Sequence, residues 1–123
     1  GDKEVSDDTK SIRLRDLLEL LNHKISQFLD RDHQIGHSYF LQVAALPEGE
    51  RLSAFEYVWN YQIIPLLEEY FYSHPDQLRE ILPEFVDEVG DMEITRSMHL
   101  ARFKSDELLI TLNEFIENQT VSL

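Results

Sequence analysis

From Leu14 to Leu29, apolar side chains return at every third or fourth position: Leu14, Leu17, Leu18, Leu21, Ile25, Phe28 and Leu29. Residues three and four apart share one face of an α-helix, whereas a strand alternates every second residue. The spacing therefore commits this segment to an amphipathic helix with one stripe to bury. Ser11 is placed to cap its start, and the pattern stops near Asp30. The same period returns in Leu52, Phe55, Val58, Trp59 and Ile63, and again in Leu66, Leu67, Tyr70 and Phe71. It recurs in Leu78, Ile81, Leu82 and Phe85, and finally in Leu108, Leu109, Leu112, Phe115 and Ile116. A chain of 123 residues usually makes one domain with a modest core. Repeated helical stripes in such a chain predict an all-α fold, a small bundle of about four to five helices.

Punctuation divides the stripes. Leu46-Pro47-Glu48-Gly49 reads as a loop. Pro65 interrupts an apolar run; proline lacks an N–H and clashes with the preceding turn. A kink or break is expected near Ile63-Ile64, with Pro65 in the first turn of a new helix. Ser73-His74-Pro75-Asp76 reads as a helix restart, and Pro83 as its end. The segment from Glu84 to Phe103 is the least patterned, and MEITRSMHLARF admits a short extended stretch near 92–103. Ser105 is placed to cap a last helix, with Asp106 and Glu107 at its positive end. The opening GDKEVSDDTK is polar and mostly charged. It reads as a disordered tail over 1–10, ahead of one helical domain at 11–123.

The formal net charge of −13 disfavours unaided nucleic-acid binding and an anionic membrane surface. No apolar run reaches the roughly 18 to 20 residues of a membrane span. The absence of cysteine removes disulfides and thiolate metal sites and is compatible with a cytoplasmic location. Neither GxxxxGK[ST] nor GxGxxG occurs, so the sequence offers no visible grip on a nucleotide by itself.

The densest chemistry lies in RDHQIGHSYF, Arg31 to Phe40. Asp30, Asp32, His33 and His37 are ligand-type side chains, and His33 and His37 are four apart, which admits a metal site. Gly36 between them argues against a regular helix there. Gln34 stands where a HExxH helix would carry glutamate. The plainer reading is that these residues hydrogen-bond a tight loop. Ser38 beside His37 is only a sequence neighbour, and GHSYF is not GxSxG, so a nucleophilic triad has no support. The carboxylate pairs Glu48/Glu50 and Glu68/Glu69 read as solvated helix faces in so acidic a chain. Aromatics at helical spacing read as core, yet Tyr39, Phe40, Tyr57, Tyr61 and Tyr72 exceed what a small interior holds, so some should line a partner surface.

RDHQIGHSYF, followed after a spacer by WNYQIIPLLEEYFY (Trp59 to Tyr72), resembles the C-terminal end of the AAA+ motor module of McrB-type proteins. This is the family of the GTP-hydrolysing subunit of the 5-methylcytosine-specific restriction system. With the helix before them, the two stretches cover roughly Ile12 to Leu82. The resemblance implies a helical lid subdomain over 11–82, with 83–123 as a C-terminal extension. It implies an isolated chain that is not an enzyme, and a parent that is an NTPase using GTP or ATP with magnesium in a DNA restriction or defence system. The P-loop, acidic magnesium motif and arginine fingers of that family precede this region and are not in this sequence. The implied partners are that AAA+ core subdomain and neighbouring ring subunits. The implied nucleotide-proximal loop is Ile35, Gly36, His37, Ser38 and Tyr39. Gly36 would allow close approach, His37 or Ser38 would bond the nucleotide, and Ile35 and Tyr39 would pack near the base. A sensor arginine common in AAA+ lids has no match here, because Arg31 lies upstream of the glycine. The competing readings are a loop bonded internally to lock the fold, a free-standing helical protein–protein interaction module without nucleotide binding, and a histidine/aspartate metal-dependent enzyme.

Overall fold

The computed structural model describes residues 3–86 and 100–121. The architecture is mostly helical, but it opens with a two-stranded antiparallel sheet, β1 (Glu4–Ser6) and β2 (Ser11–Arg13). Glu4 pairs with Arg13, Val5 with Ile12 and Ser6 with Ser11. The expected helical bundle is present with this small sheet added to it, and residues 4–6, read from sequence as part of a disordered tail, pair as a strand instead. Val5 is the one apolar residue in the first ten, and it is fully buried together with Ile12. The turn is organised by Asp7, whose Oδ1 accepts from the Thr9 amide at 2.8 Å and the Lys10 amide at 2.7 Å. Such a local side-chain-to-backbone turn needs no hydrophobic pattern. Those amides also hold the Asp7 carboxyl below its ordinary range.

β2 runs directly into α1 (Leu14–Ser26), with Arg13 still extended at its N-cap and making no side-chain cap bond. Ser11 therefore pairs in the sheet rather than capping the helix. Leu14, Leu17, Leu18, Leu21 and Ile25 form the buried stripe of α1. The helix ends at Ser26, earlier than expected, and Phe28 and Leu29 continue as a turn donating back to the Ile25 carbonyl. A 3₁₀ turn (Arg31–His33) leads to α2 (Ser38–Ala44) and then α3 (Glu48–Val58). Glu48 and Gly49 belong to the first turn of α3, not to a loop, with Pro47 at the N-cap.

α3 does not break before Pro65. A π turn over Trp59–Ile63 joins it to α4 (Ile64–Tyr70), with Pro65 in the first turn of α4. A π turn sets carbonyls and donors one residue out of the α register, which accommodates the proline without ending the rod. α5 (Pro75–Ile81) follows, then a 3₁₀ turn over Pro83–Phe85. Val86 pairs with Leu100 in an isolated antiparallel bridge, and the Ala101 amide donates to the Phe85 carbonyl at 2.7 Å. The stretch expected as extended near 92–103 lies outside the described residues up to position 99. α6 (Ser105–Val121) packs against β2, α3 and the Pro83–Phe85 turn. Ser105 opens α6 and donates its hydroxyl to Glu56 Oε1 at 3.2 Å.

One core joins these elements. Trp59 is fully buried between Phe55 and Phe85, with ring centroids at 6.0 Å and 5.3 Å. Leu108, Leu109, Leu112 and Phe115 close it from α6. Tyr57, Tyr61 and Tyr72 are exposed, and Tyr39 and Tyr70 are only partly buried.

Candidate functional site

The Ile35–Tyr39 segment is held at both ends. On one side, the Asn22 side chain from α1 clamps the Ile35 backbone. Its Nδ2 donates to the Ile35 carbonyl at 2.9 Å and its Oδ1 accepts from the Ile35 amide at 2.6 Å. The Ile35 side chain is buried, so it anchors the loop from within and does not line its outer surface. Upstream, Asp30 Oδ1 accepts from the Asp32 amide and sits 2.7 Å from His33 Nδ1. The His33 ring meets Tyr70 edge-on at 5.0 Å. This contact with His33 is the main reason the Asp30 carboxyl lies below its ordinary range. On the far side, the His37 carbonyl accepts from the Phe40 and Leu41 amides and starts α2. Phe40 then drops into the core.

Between these anchors Gly36, His37 and Ser38 are exposed. A Cβ on Gly36 would meet nothing closer than the Ser38 hydroxyl, at 3.8 Å, and the backbone there has no positive φ. The fold itself therefore does not require glycine at 36. The His37 ring makes no hydrogen bond with another described residue, and none links it to Ser38. His33 is tied to Asp30, and no three His, Cys, Asp or Glu side chains among the described residues are grouped to hold a metal ion.

His37 also lines a groove of about 1000 Å³ between α1 and α2. Its floor is apolar, made by Leu14, Leu18 and Phe40, and Arg15 and His23 stand along its wall with His37. Lys3 from the hairpin reaches the same groove, and Glu19 is the one carboxylate among the described residues that line it. Arg15 is paired with Glu19 at 3.2 Å. In a chain of net charge −13, this face carries more basic than acidic side chains. An apolar floor with a few polar groups at one end suits an amphipathic ligand with anionic character.

Of the loop residues expected from sequence, the structure gathers Gly36, His37 and Ser38 on one exposed turn beside the groove. Tyr39 stays half-buried and Ile35 turns inward. Asn22 was missed. It lies four residues after Leu18 and three before Ile25, so it is a polar residue on an apolar stripe, and that position was the available signal.

These features describe a small helical domain that offers a loop and an open groove. Residues 13–79, more than half of the chain, match the family model described as McrB, alpha-helical lid domain. The chain belongs to that family. No curated protein matches the chain. The match begins at the end of β2 and stops within α5. α6 and the segment that precedes it fall outside.

Proposed function

We propose that this domain is the lid of an McrB-type AAA+ NTPase, and that the Gly36–Ser38 turn with the α1–α2 groove forms its nucleotide-facing side. The observation that carries this reading is the exposed, unengaged His37 ring at the edge of a groove with basic walls, in a chain of the lid family. Gly36, which the fold does not require, is then explained by the approach of a second surface. GTP or ATP with magnesium would be gripped by the core subdomain, which also supplies the chemistry of phosphate transfer. The part of this chain is to cover the nucleotide, exclude water and place the His37 imidazole and Ser38 hydroxyl within hydrogen-bonding reach of it. The Ile35 clamp keeps that turn in place. Movement of the lid against the core would couple hydrolysis to ring function in a restriction or defence system. The domain alone is not catalytic in this reading.

The test is His37→Ala in the full-length parent. NTP hydrolysis should fall by about tenfold or more, the range for loss of one positioned hydrogen-bonding group, while the domain's unfolding midpoint stays unchanged. Unchanged hydrolysis sinks the assignment of His37. A second reading, an interaction module, is favoured by the exposed Tyr57–Tyr61 pair, with ring centroids 5.4 Å apart. It would leave hydrolysis indifferent to His37.

A further inference from the structure

The π turn lies within the residues the family model matches, the segment before α6 lies outside them, and the two are bonded into one unit. In the π turn the Ile64 amide donates to the Trp59 carbonyl, five residues back. The donor five residues beyond Asn60 is position 65, a proline without an N–H. The Asn60 carbonyl therefore loses its helical partner, and Asn60 is only 5% exposed. A buried carbonyl without a partner is costly. Arg102 takes the missing donor's place: its Nε donates to the Asn60 carbonyl at 3.1 Å.

The same residues bond further. Asn60 Nδ2 donates to the Phe103 carbonyl at 2.8 Å, and Asn60 Oδ1 accepts from the Phe103 amide at 3.4 Å. Glu68, one turn into α4, accepts from Arg102 at 3.2 Å through Oε1 and from the Leu100 amide at 3.1 Å through Oε2. Phe103 packs on Phe85 at 5.7 Å, and Phe85 on Trp59 at 5.3 Å. The strap of residues 100–104 thus bonds to the π turn at Asn60 and to α4 at Glu68, on both sides of Pro65.

We propose that residues 100–104 are a strap locking the α3–α4 junction. Pro65 makes that junction a hinge by removing a donor, and Arg102 closes the hinge by supplying one. A seated strap fixes α4 relative to α3. A released strap leaves the Asn60 carbonyl open and lets the junction move. The C-terminal part of the chain thereby governs the shape of the helical domain from outside the matched segment. The device stands independently of the nucleotide reading.

The experiment is amide hydrogen exchange on the whole chain with Arg102→Met, which keeps the aliphatic stem and removes every donor. Exchange at Ile64 and neighbouring α4 amides should rise about tenfold or more, as expected for losing a hydrogen bond from a charged donor. Amides of α1, such as Leu21, should hold their rates. Adding Pro65→Ala gives the Asn60 carbonyl an N–H again, and the double variant should regain protection at Ile64. Unchanged exchange at Ile64, or equal acceleration at Leu21 and Ile64, overturns the proposal. If Arg102→Met alone fails to fold, the double variant must fold and be protected at Ile64. Failure of that rescue overturns it too.

Discussion

Replacing Asn22 by alanine removes two hydrogen bonds at once and changes nothing in the apolar stripe of α1. Asn22 contributes Nδ2 to the Ile35 carbonyl and Oδ1 to the Ile35 amide, at 2.9 Å and 2.6 Å. Both bonds are partly buried, and the Ile35 side chain beneath them is 2% exposed. Ile35 belongs to no helix or strand, so its backbone has no helical or sheet partner to fall back on. A hydrogen bond contributes about 0.5 to 1.5 kcal/mol net, and a stranded partner at a buried site costs about 1 to 3 kcal/mol. Partial access of water at this edge lowers the penalty, so the two together should cost about 2 to 4 kcal/mol. With a urea slope of about 1 to 3 kcal/mol per molar for a small domain, the unfolding midpoint should drop by about 1 M or more. Asn22→Asp keeps the acceptor for the Ile35 amide but sets a carboxylate against the Ile35 carbonyl, so it should recover little of the loss. Urea titrations followed by Trp59 fluorescence report this directly, since Trp59 is the single tryptophan and is fully buried. A loss for Asn22→Ala below about 0.5 kcal/mol, the size of an ordinary surface change, would refute the clamp and with it the fixed placement of the Gly36–Ser38 turn.

Two further perturbations probe the scaffold and its surface. Leu18→Ala empties a site that is 3% exposed, and should cost about 2 to 5 kcal/mol by calorimetry or denaturant titration; a loss under about 1 kcal/mol would mean the α1 stripe is not core. The Asp30 carboxyl has its folded-state pKa lowered from the ordinary 3.8, chiefly by the hydrogen bond with His33. A lowered carboxylate stabilises the fold above its unfolded value and loses that contribution as pH falls through the folded one. The stability gap between the wild type and Asp30→Asn should therefore hold at higher pH and narrow below pH 3.8, read as unfolding midpoints across acidic buffers. A gap that widens on acidification contradicts the His33 contact.

Periodic segments announced themselves and long-range polar bonds did not. The α1 and α6 stripes were legible because each buried residue repeats the helical period, and no other element satisfies that spacing. Pro65 was legible as a disturbance but not as a π turn, since the Asn60 carbonyl that it leaves without a helical donor bonds Arg102, far away in sequence. The hairpin escaped notice because its strands are three residues each, too short to show alternation, and rest on the Asp7 turn and on one buried residue per strand, Val5 and Ile12. At the candidate site, Gly36, His37 and Ser38 stood out through resemblance to a known loop, not through spacing. The inward turn of Ile35 depends on Asn22, thirteen positions earlier. No local pattern encodes that pairing.

The most direct measurement compares fluorescent GTP and ATP binding by the AAA+ core subdomain of the parent with and without this domain attached. If residues 13–79 close over the nucleotide, removing the domain should weaken affinity about tenfold or more, the scale of losing one or two polar contacts and their apolar cover. Equal affinity in the two proteins would contradict the lid's role at the nucleotide.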